Sequence, residues 1–141
     1  MMISQTTEYA LRAVVWLAGQ PDELQGTRKI SEAIQVPSGY LSKVLQKLTR
    51  AGLVISSPGR GGGFRLVRKP EDIRVLEVVN AVDPLQRIQS CPLGLASHGS
   101  NLCALHRKLD DDLARTELAF ASTTISDLLD GKGGAQPLCE S

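Results

Sequence analysis

The chain has 141 residues, a formal net charge of +1 and an apolar content of 42%. These values exclude a wholly disordered chain and fit one compact domain with an appendage. No apolar run approaches the roughly 20 residues that span a bilayer, and Glu8 and Arg12 interrupt the first apolar stretch. Three cysteines, an odd number, do not form a secreted disulfide framework. We therefore expect a cytoplasmic protein without a membrane segment or signal peptide.

Basic and acidic residues are separated along the chain. Residues 1–70 hold ten Lys and Arg against four Asp and Glu, whereas residues 71–141 hold six against eleven. A solvated surface usually mixes both signs, so a basic half suggests contact with a polyanion. The N-terminal half is therefore the candidate nucleic-acid binder.

Three helices are predicted in the basic half. Apolar residues at helical spacing predict a first helix over Gln5–Ala18. A second, short helix follows Thr27, its expected N-cap, and ends before Pro37. Ser38 is the expected cap of a third helix, which Gly52 ends.

A glycine-rich segment, Arg60-Gly61-Gly62-Gly63, lies between two β-prone runs, Leu53–Ile55 and Phe64–Val67. Glycines suit a tight reversal whose backbone passes close to another molecule. We therefore predict a two-stranded wing with Arg60 at its tip. Taken alone, the segment fits an ordinary hairpin with a solvated arginine equally well. The preceding helices and the basic charge favour a wing that enters a DNA groove.

The predicted fold is mainly α with a small β-wing, a winged helix-turn-helix domain over residues 1–83. In such a domain the third helix enters the major groove of double-stranded DNA; a solvated basic face is the alternative. The residues of this helix that we expect to face DNA are Ser38, Gly39, Tyr40, Ser42, Lys43, Gln46 and Lys47. Contacts to phosphate or to a groove are expected from Arg28, Lys29, Arg60, Gly61, Gly62, Arg65 and Arg68.

The acidic half begins with a predicted fourth helix from Glu71 to Asp83. A cysteine-containing loop over residues 84–100 follows, which we interpret as a sensor. From Asn101 to Phe120, apolar residues alternate at steps of three and four. This stripe needs a covering surface, and we expect the same helix of a second subunit to supply it. Packing on the chain's own winged-helix domain is the alternative.

The last elements are a short helix and a tail. Thr124 and Asp127 have the spacing of a capping box for a helix that ends at Gly131. Residues 101–130 would thus form the dimerisation helix and a short last helix. Residues 131–141 are predicted to be a disordered tail, in which Cys139 would be a free thiol.

Several motifs together are similar to the Rrf-two-type bacterial winged-helix repressors. They cover about residues 1–131, and the match is carried by Ser4–Ala10, Ile30–Glu32, Tyr40-Leu41 and above all Arg60–Leu66. This family includes an iron–sulfur-cluster regulator, a nitric-oxide-sensing repressor and a cysteine-metabolism repressor. The resemblance implies a homodimer that binds a palindromic operator, with the wing arginine in the minor groove.

The resemblance also implies a ligand set, from which this chain departs. Cluster-bearing relatives have three cysteines before the dimerisation helix, with five residues between neighbours, and some add a histidine three residues after the last. Here Ser97 stands at the middle cysteine position. His98 adjoins that position, and Glu8 falls where some relatives supply a carboxylate from the partner subunit. The candidate metal ligands are therefore Cys91, Cys103, His106, His98 and Glu8.

The chemistry of these residues is coherent without the family. Cys103 and His106 are i, i+3 neighbours on one helical face, and a helix N-terminus favours a thiolate. Mixed Cys and His ligation occurs in two-iron clusters, and two Cys with two His is also a zinc set. Three interpretations stay open: an iron–sulfur cluster of the [2Fe-2S] type, which we favour, a zinc ion, or a loop without metal.

The favoured function is a sequence-specific transcriptional regulator, a repressor, whose DNA affinity follows a redox, nitric oxide or iron–sulfur signal. The alternative is a metal-free DNA-binding regulator controlled by docking of a partner protein. An enzyme is not predicted, because neither Cys91 nor Cys103 lies in a pocket-forming motif and no orienting acid is evident.

Overall fold

The computed structural model describes residues 3–97, 101–130 and 137–138. Its mainly helical chain with a small antiparallel sheet confirms the predicted fold class. Two sequence predictions lie outside the described residues: His98 as a ligand and most of the tail, including Cys139. In chain order the elements are α1 (Gln5–Ala18), α2 (Thr27–Ile34), α3 (Ser38–Arg50), β1 (Val54–Ser57), β2 (Gly63–Leu66), a 3₁₀ turn (Pro70–Asp72), α4 (Val75–Val82), α5 (Ala104–Ser122) and α6 (Ile125–Leu129).

Helix α1 lies at the centre of the fold. It contacts α2, α3, α4 and α6, and its buried face includes Ala10, Ala13, Val14 and Leu17. Ser4 caps its first turn by accepting a hydrogen bond from the backbone N–H of Thr7 at 3.1 Å. The observed bounds of α1 are those predicted from its apolar spacing.

The caps of α2 and α3 differ from the prediction. Thr27 and Ser38 are the first helical residues, and Gly26 and Pro37 occupy the N-cap positions without a side-chain hydrogen bond. Pro37 already has the extended ψ of 134° that an N-cap needs, so Ser38 moves into the helix. At the other end of α3, Gly52 adopts the left-handed conformation with φ of 77°, as a helix-ending glycine should.

The wing is joined to the helix-turn-helix by a backbone link. Strands β1 and β2 pair antiparallel, with Val54 opposite Leu66. Gln25, just before α2, then pairs with Phe64 on the outer side of β2, through N–H to carbonyl bonds of 2.9 and 2.8 Å. Gln25 is fully buried. This link fixes the direction in which the wing leaves the domain.

One hydrophobic core joins the first four helices with Ile125 of α6. Before α4, the predicted helix start at Glu71 is wrong, because residues 70–72 form a 3₁₀ turn and Ile73 is extended. The extended segment pairs with the chain after α5: Val75 N–H donates to the Thr123 carbonyl, and Ile125 N–H donates to the Ile73 carbonyl, both at 2.9 Å. The end of the chain is thereby held on the winged-helix core.

Helix α5 begins at Ala104, three residues later than predicted, with Cys103 at its N-cap. It contacts α4, but none of its residues from Ala104 to Ser122 is buried. The capping box after it is confirmed, since Thr124 and Asp127 exchange backbone and side-chain hydrogen bonds of 2.9 and 3.0 Å. Within the described ranges, no helix has both the length and the apolar character needed to cross a membrane.

Candidate nucleic-acid interface and sensor site

The face of α3 that points away from the core is polar and basic. The residues of its buried stripe are Leu41, Val44, Leu45 and Leu48. All the residues predicted to face DNA lie at the surface: Ser42 is half-buried, and Ser38, Gly39, Tyr40, Lys43, Gln46 and Lys47 are exposed. The helix therefore has a surface that could enter a groove.

Some of these residues have partners within the chain. The Tyr40 ring meets the Tyr9 ring edge-on, with centroids 5.7 Å apart. The Lys47 ammonium donates a hydrogen bond of 3.4 Å to the carbonyl oxygen of Val82, the last residue of α4, where a cation is favoured by the helix dipole. Lys47 is thus directed toward α4, whereas Lys43 is exposed on the outer face.

A hollow of about 380 Å³ separates α3 from the wing. Its lining includes Gln46 and Arg50 of α3 and Ser56 and Phe64 of the wing. Arg50 is not among the DNA contacts predicted from the sequence. A cation in the last turn of a helix is also explained by the helix dipole, so the sequence alone does not single it out. Its signal is the spacing: it follows Lys43 by seven residues and shares that helix face. Arg50 therefore joins the candidate DNA contacts.

The glycines of the wing are required by the wing itself. Gly61 has a left-handed φ of 72°. A Cβ on Gly62 would lie 2.1 Å from a carbonyl oxygen of β1, and one on Gly63 would lie 2.4 Å from the carbonyl oxygen of Gln25. Neither backbone can give way cheaply, so only glycine fits. Arg60, just before these glycines, is exposed at the tip of the wing.

Three of the cations predicted to contact phosphate are exposed around these elements. Lys29 and Arg65 are exposed, and Arg28 pairs with Glu32 one turn along α2, at 3.3 Å. Both partners of that pair are largely in solvent, so the ion pair contributes little and can give way to a phosphate.

Arg68, in contrast, belongs to a network within the protein. It donates to the Asp72 carbonyl at 3.0 Å and to the Glu77 carboxylate. Burial disfavours ionisation of Glu77, but the hydrogen bonds from Arg68 and from the Arg74 backbone hold its pKa below the ordinary value. Arg68 is therefore less available to DNA than Arg65.

Glu8, in the first turn of α1, has an unsatisfied oxygen. Its Oε2 lies 2.6 Å from Nε of Arg12, yet this buried atom accepts no hydrogen bond of acceptable geometry. Arg12 also donates, through Nη1, to the Ile34 carbonyl at 3.1 Å and lies over the Tyr9 ring at 5.5 Å. The Glu8 carboxylate is thus already ion-paired with Arg12 and would have to leave that partner to become a metal ligand.

Cys103 and His106 form the other candidate ligand pair. The Cys103 Sγ lies 3.4 Å from the His106 Nδ1, close to the separation of about 3.5 Å that sulfur and nitrogen ligands of one tetrahedral metal have. Cys91 is buried in the loop before α5, and Ser97 is exposed. No three His, Cys, Asp or Glu side chains that could hold a metal lie together within the described residues. Within the described residues, no third candidate ligand therefore joins Cys103 and His106.

A comparison of the whole chain with protein-family models matches residues 3–131 to Rrf2, described as an iron-dependent transcriptional regulator. The chain belongs to the Rrf2 family. It is accordingly a DNA-binding transcriptional regulator with a winged helix and not an enzyme, and the resemblance given by its motifs is confirmed.

Individual members show how far the likeness extends. This Rrf2-family chain is similar to the HTH-type transcriptional regulator NsrR of Bacillus subtilis, with 35% identity over 106 residues, which are 74% of this chain and 70% of the relative. Among solved structures it is similar to T. potens IscR, with a TM-score of 0.75, 22% identity and coverage of 92% and 87% of the two chains. CymR, the global cysteine regulator of B. subtilis, gives a TM-score of 0.74, 22% identity and coverage of 91% and 95%. The two structural likenesses show the fold.

Proposed function

We propose that this protein is a homodimeric repressor that binds a palindromic operator and responds to a redox, nitric oxide or iron–sulfur signal through a [2Fe-2S] cluster. Residues 1–83 would bind DNA, the loop over residues 84–100 would act as the sensor, and residues 101–130 would hold the dimer. The observation that carries the sensor proposal is the Cys103–His106 pair, 3.4 Å apart at the start of α5.

The DNA contacts would come from α3 and the wing. Lys43, Gln46 and Arg50 share the outer face of α3 and can bond bases or phosphates in the major groove. Arg60 projects from the wing, and a narrow minor groove attracts such an arginine. The phosphate contacts proposed around them are Arg28, Lys29 and Arg65.

The exposed face of α5 supports a dimer. Leu105 is 62% exposed and Leu109 is 45% exposed, one turn apart on one helix face. Paired α5 helices would cover these leucines and present two α3 helices to two half-sites. Phe120, at the far end of the stripe, packs against the chain's own core instead. Packing within the chain therefore accounts for that end of the stripe and leaves Leu105 and Leu109 exposed.

The cluster would be held at the start of α5 by Cys103 and His106, with Cys91 and either His98 or Glu8 completing the ligand set. A cluster of this type supplies one-electron redox chemistry whose potential depends on its ligands. Glu8 offers a buried oxygen that accepts no hydrogen bond from the described residues, although it is ion-paired with Arg12 at 2.6 Å. In the homodimer, that oxygen could come from Glu8 of the partner subunit.

Contacts of Glu8 provide a route from the sensor to the DNA-binding helices. Arg12 pairs with Glu8 and also donates to Ile34, at the end of α2. Tyr9 lies between the Arg12 guanidinium and the Tyr40 ring of α3. If the Glu8 carboxylate left Arg12 to become a ligand, Arg12 would change partners and shift both helices. Such a difference in contacts is what couples a signal to DNA affinity.

A metal-free regulator controlled by a docking partner is the second candidate. In the sensor loop, Leu93 is 75% exposed and Leu95 is 46% exposed, and such leucines fit a partner protein. Within residues 3–97 and 101–130, moreover, no three metal-binding side chains are gathered. In this case Cys103 and His106 would be neighbours that bind no metal.

Protein purified without air tests the proposal. Its visible spectrum, iron, acid-labile sulfide and zinc would be measured, together with its affinity for an operator selected from random duplexes, before and after cluster oxidation. We expect about two irons and two sulfides per subunit and an affinity that differs between the two states.

Variants assign the ligands in the same experiment. Cys91→Ala and Cys103→Ala should each be colourless, His106→Ala should have a shifted spectrum, and Cys139→Ala, the matched control, should keep its colour. Colourless wild-type protein with neither iron nor zinc would remove the metal proposal and favour control by a docking partner.

A further inference from the structure

One carboxylate of α5 anchors the start of the sensor loop. Arg87 donates to Asp110 through Nε at 2.7 Å and through Nη2 at 2.8 Å. The backbone N–H of Ile88 donates to the same carboxylate at 2.9 Å. Glu117, two turns further along α5, lies 3.7 Å from Nη1 of Arg87. Asp110 therefore holds two consecutive residues of the loop.

The geometry distinguishes this anchor from an ordinary surface ion pair, which contributes little. A two-pronged arginine–carboxylate contact fixes direction as well as distance, and the Asp110 side chain is only 16% exposed. The hydrogen bond from Arg87, followed by that from the Ile88 N–H, lowers the pKa of Asp110 to about 2. The contact is therefore fully ionised at neutral pH.

The anchor lies next to the candidate metal ligands. Asp110 follows His106 by four residues, so both share one face of α5 and are about 6 Å apart along its axis. On the loop side, Cys91 follows Ile88 by three residues, a reach of at most about 11 Å. Cys91 is 8% exposed, although residues 92–97 after it are all exposed.

We propose that Arg87 and Asp110 are positioning residues that hold the loop before Cys91 against α5 and so limit how far Cys91 can lie from Cys103 and His106. A loop held in this way brings Cys91 to the ligand pair at a smaller cost in chain entropy. The purpose of the contact rests on the proposed metal site. Its effect on the loop before Cys91 does not, because the contacts of Arg87 and Ile88 with Asp110 need no metal.

Thiol reactivity tests the position of Cys91 without metal. Because the chain has three cysteines, Cys103→Ser and Cys139→Ser together leave Cys91 as the only thiol. In that background we expect Arg87→Met and Asp110→Asn to raise its reaction rate with an aromatic disulfide reagent by roughly tenfold, through local opening of the loop.

The matched control is Arg115→Met in the same background, which removes a different ion pair of α5, the 2.6 Å contact with Asp112. Its Cys91 rate should equal that of the background. Urea unfolding of each variant shows that the rate reports the loop and not global unfolding. Equal rates in Arg87→Met, Asp110→Asn and the control would overturn the proposal.

Loading with ferrous iron and sulfide, without air and with all cysteines present, separates the two proposals. We expect wild type to retain iron and Arg87→Met to lose it to a chelator roughly tenfold faster. Arg87→Lys keeps the charge but not the two-pronged contact and should be intermediate. If wild type takes up no iron while Arg87→Met still exposes Cys91, the metal site is wrong and the positioning stands. If iron loss is unchanged in Arg87→Met, the positioning role is wrong.

Discussion

The winged-helix half and the α5 half of this protein are held together by different forces. In the first half, α1–α4 share one buried core, and the wing is fixed by the buried Gln25–Phe64 pairing. In the second, α5 has no buried residue, and the loop before it is held by the Arg87–Asp110 contact. The first half can therefore present a rigid polar surface to DNA, whereas the second exposes Leu105, Leu109 and Leu118 on α5.

Charge follows the same division. Residues 1–70 have an excess of six basic residues, and residues 71–141 an excess of five acidic ones. Phosphates attract the first half and repel the second, so the electrostatic field favours an orientation with α5 directed away from the duplex. A dimer built on α5 would keep both wings and both α3 helices on the DNA side.

Leu109→Glu should have the largest effect, because it places a charge on the face of α5 that we expect a second subunit to cover. A carboxylate placed unpaired in a dimer seam costs several kcal/mol. We therefore expect the dimer to dissociate and operator affinity to fall by about a hundredfold or more. Sedimentation equilibrium and a DNA-binding titration measure the two effects.

Leu118→Glu is the matched control for that variant. Leu118 is 68% exposed and lies nine residues after Leu109, which places it on the opposite side of the helix. The Leu118→Glu variant should therefore remain a dimer. If Leu109→Glu still sediments as a dimer, the interface lies elsewhere.

The next effect concerns the rigidity of the wing. Arg60→Ala should weaken operator binding by about 1–3 kcal/mol. Gly63→Ala should weaken it by a similar amount, since its Cβ would lie 2.4 Å from the Gln25 carbonyl oxygen and displace the wing. If Gly63 affects binding only by setting the position of Arg60, the double variant should bind the operator no more weakly than whichever single variant binds more weakly.

Gly26→Ala provides the control at the other side of that backbone link, because a Cβ there meets nothing within 4 Å. It should bind the operator as wild type does. Additive losses from Arg60→Ala and Gly63→Ala would show that Gly63 affects binding by a route other than the wing arginine.

The same contrast explains what the sequence could predict. Local patterns were sufficient for α1, for the Gly52 helix end and for the Thr124 capping box, because each depends on residues within one or two turns. The Gln25–Phe64 pairing was missed, since one residue before α2 bonds to a strand 39 positions later without any repeating pattern. The N-caps at Gly26 and Pro37 were missed because neither uses a side-chain hydrogen bond.

For the candidate site, too, contacts between residues close in sequence could be predicted and contacts between distant residues could not. The Cys103–His106 contact follows from i, i+3 spacing and was predicted. The Arg87–Asp110 contact spans 23 residues and joins a loop to a helix, so no sequence period indicates it. The burial of the Glu8 oxygen depends on how α1 packs, which only the fold determines.

A smaller effect separates two cations of α3. Arg50→Ala should weaken operator binding by about 1 kcal/mol and reduce the salt dependence by about one phosphate contact. Lys47→Ala should have less effect on both, because its ammonium already bonds the Val82 carbonyl at the end of α4. Titrations at several salt concentrations measure both quantities. A larger loss from Lys47 than from Arg50 would mean that α3 presents a different face to DNA.

The smallest effect is expected in acid and concerns the Arg87–Asp110 contact, which holds the loop before α5. The pKa of Asp110 is lowered to about 2 from an ordinary 3.8, mainly by the hydrogen bond from Arg87, while Asp111 and Glu117 also act on Arg87. Because the folded pKa lies below the unfolded one, the stabilisation is present above about pH 4 and is lost as the pH falls toward 2. Wild type should therefore unfold at a higher urea concentration than Asp110→Asn at pH 6, and the gap should narrow by pH 3.

Asp112→Asn, which removes only exposed pairs with Lys108 and Arg115, should show a smaller gap at pH 6. A gap for Asp110→Asn that stays constant from pH 6 to pH 3 would mean that the carboxylate is not held by Arg87 in solution, and the loop would then lack the anchor that distinguishes it from an ordinary exposed segment.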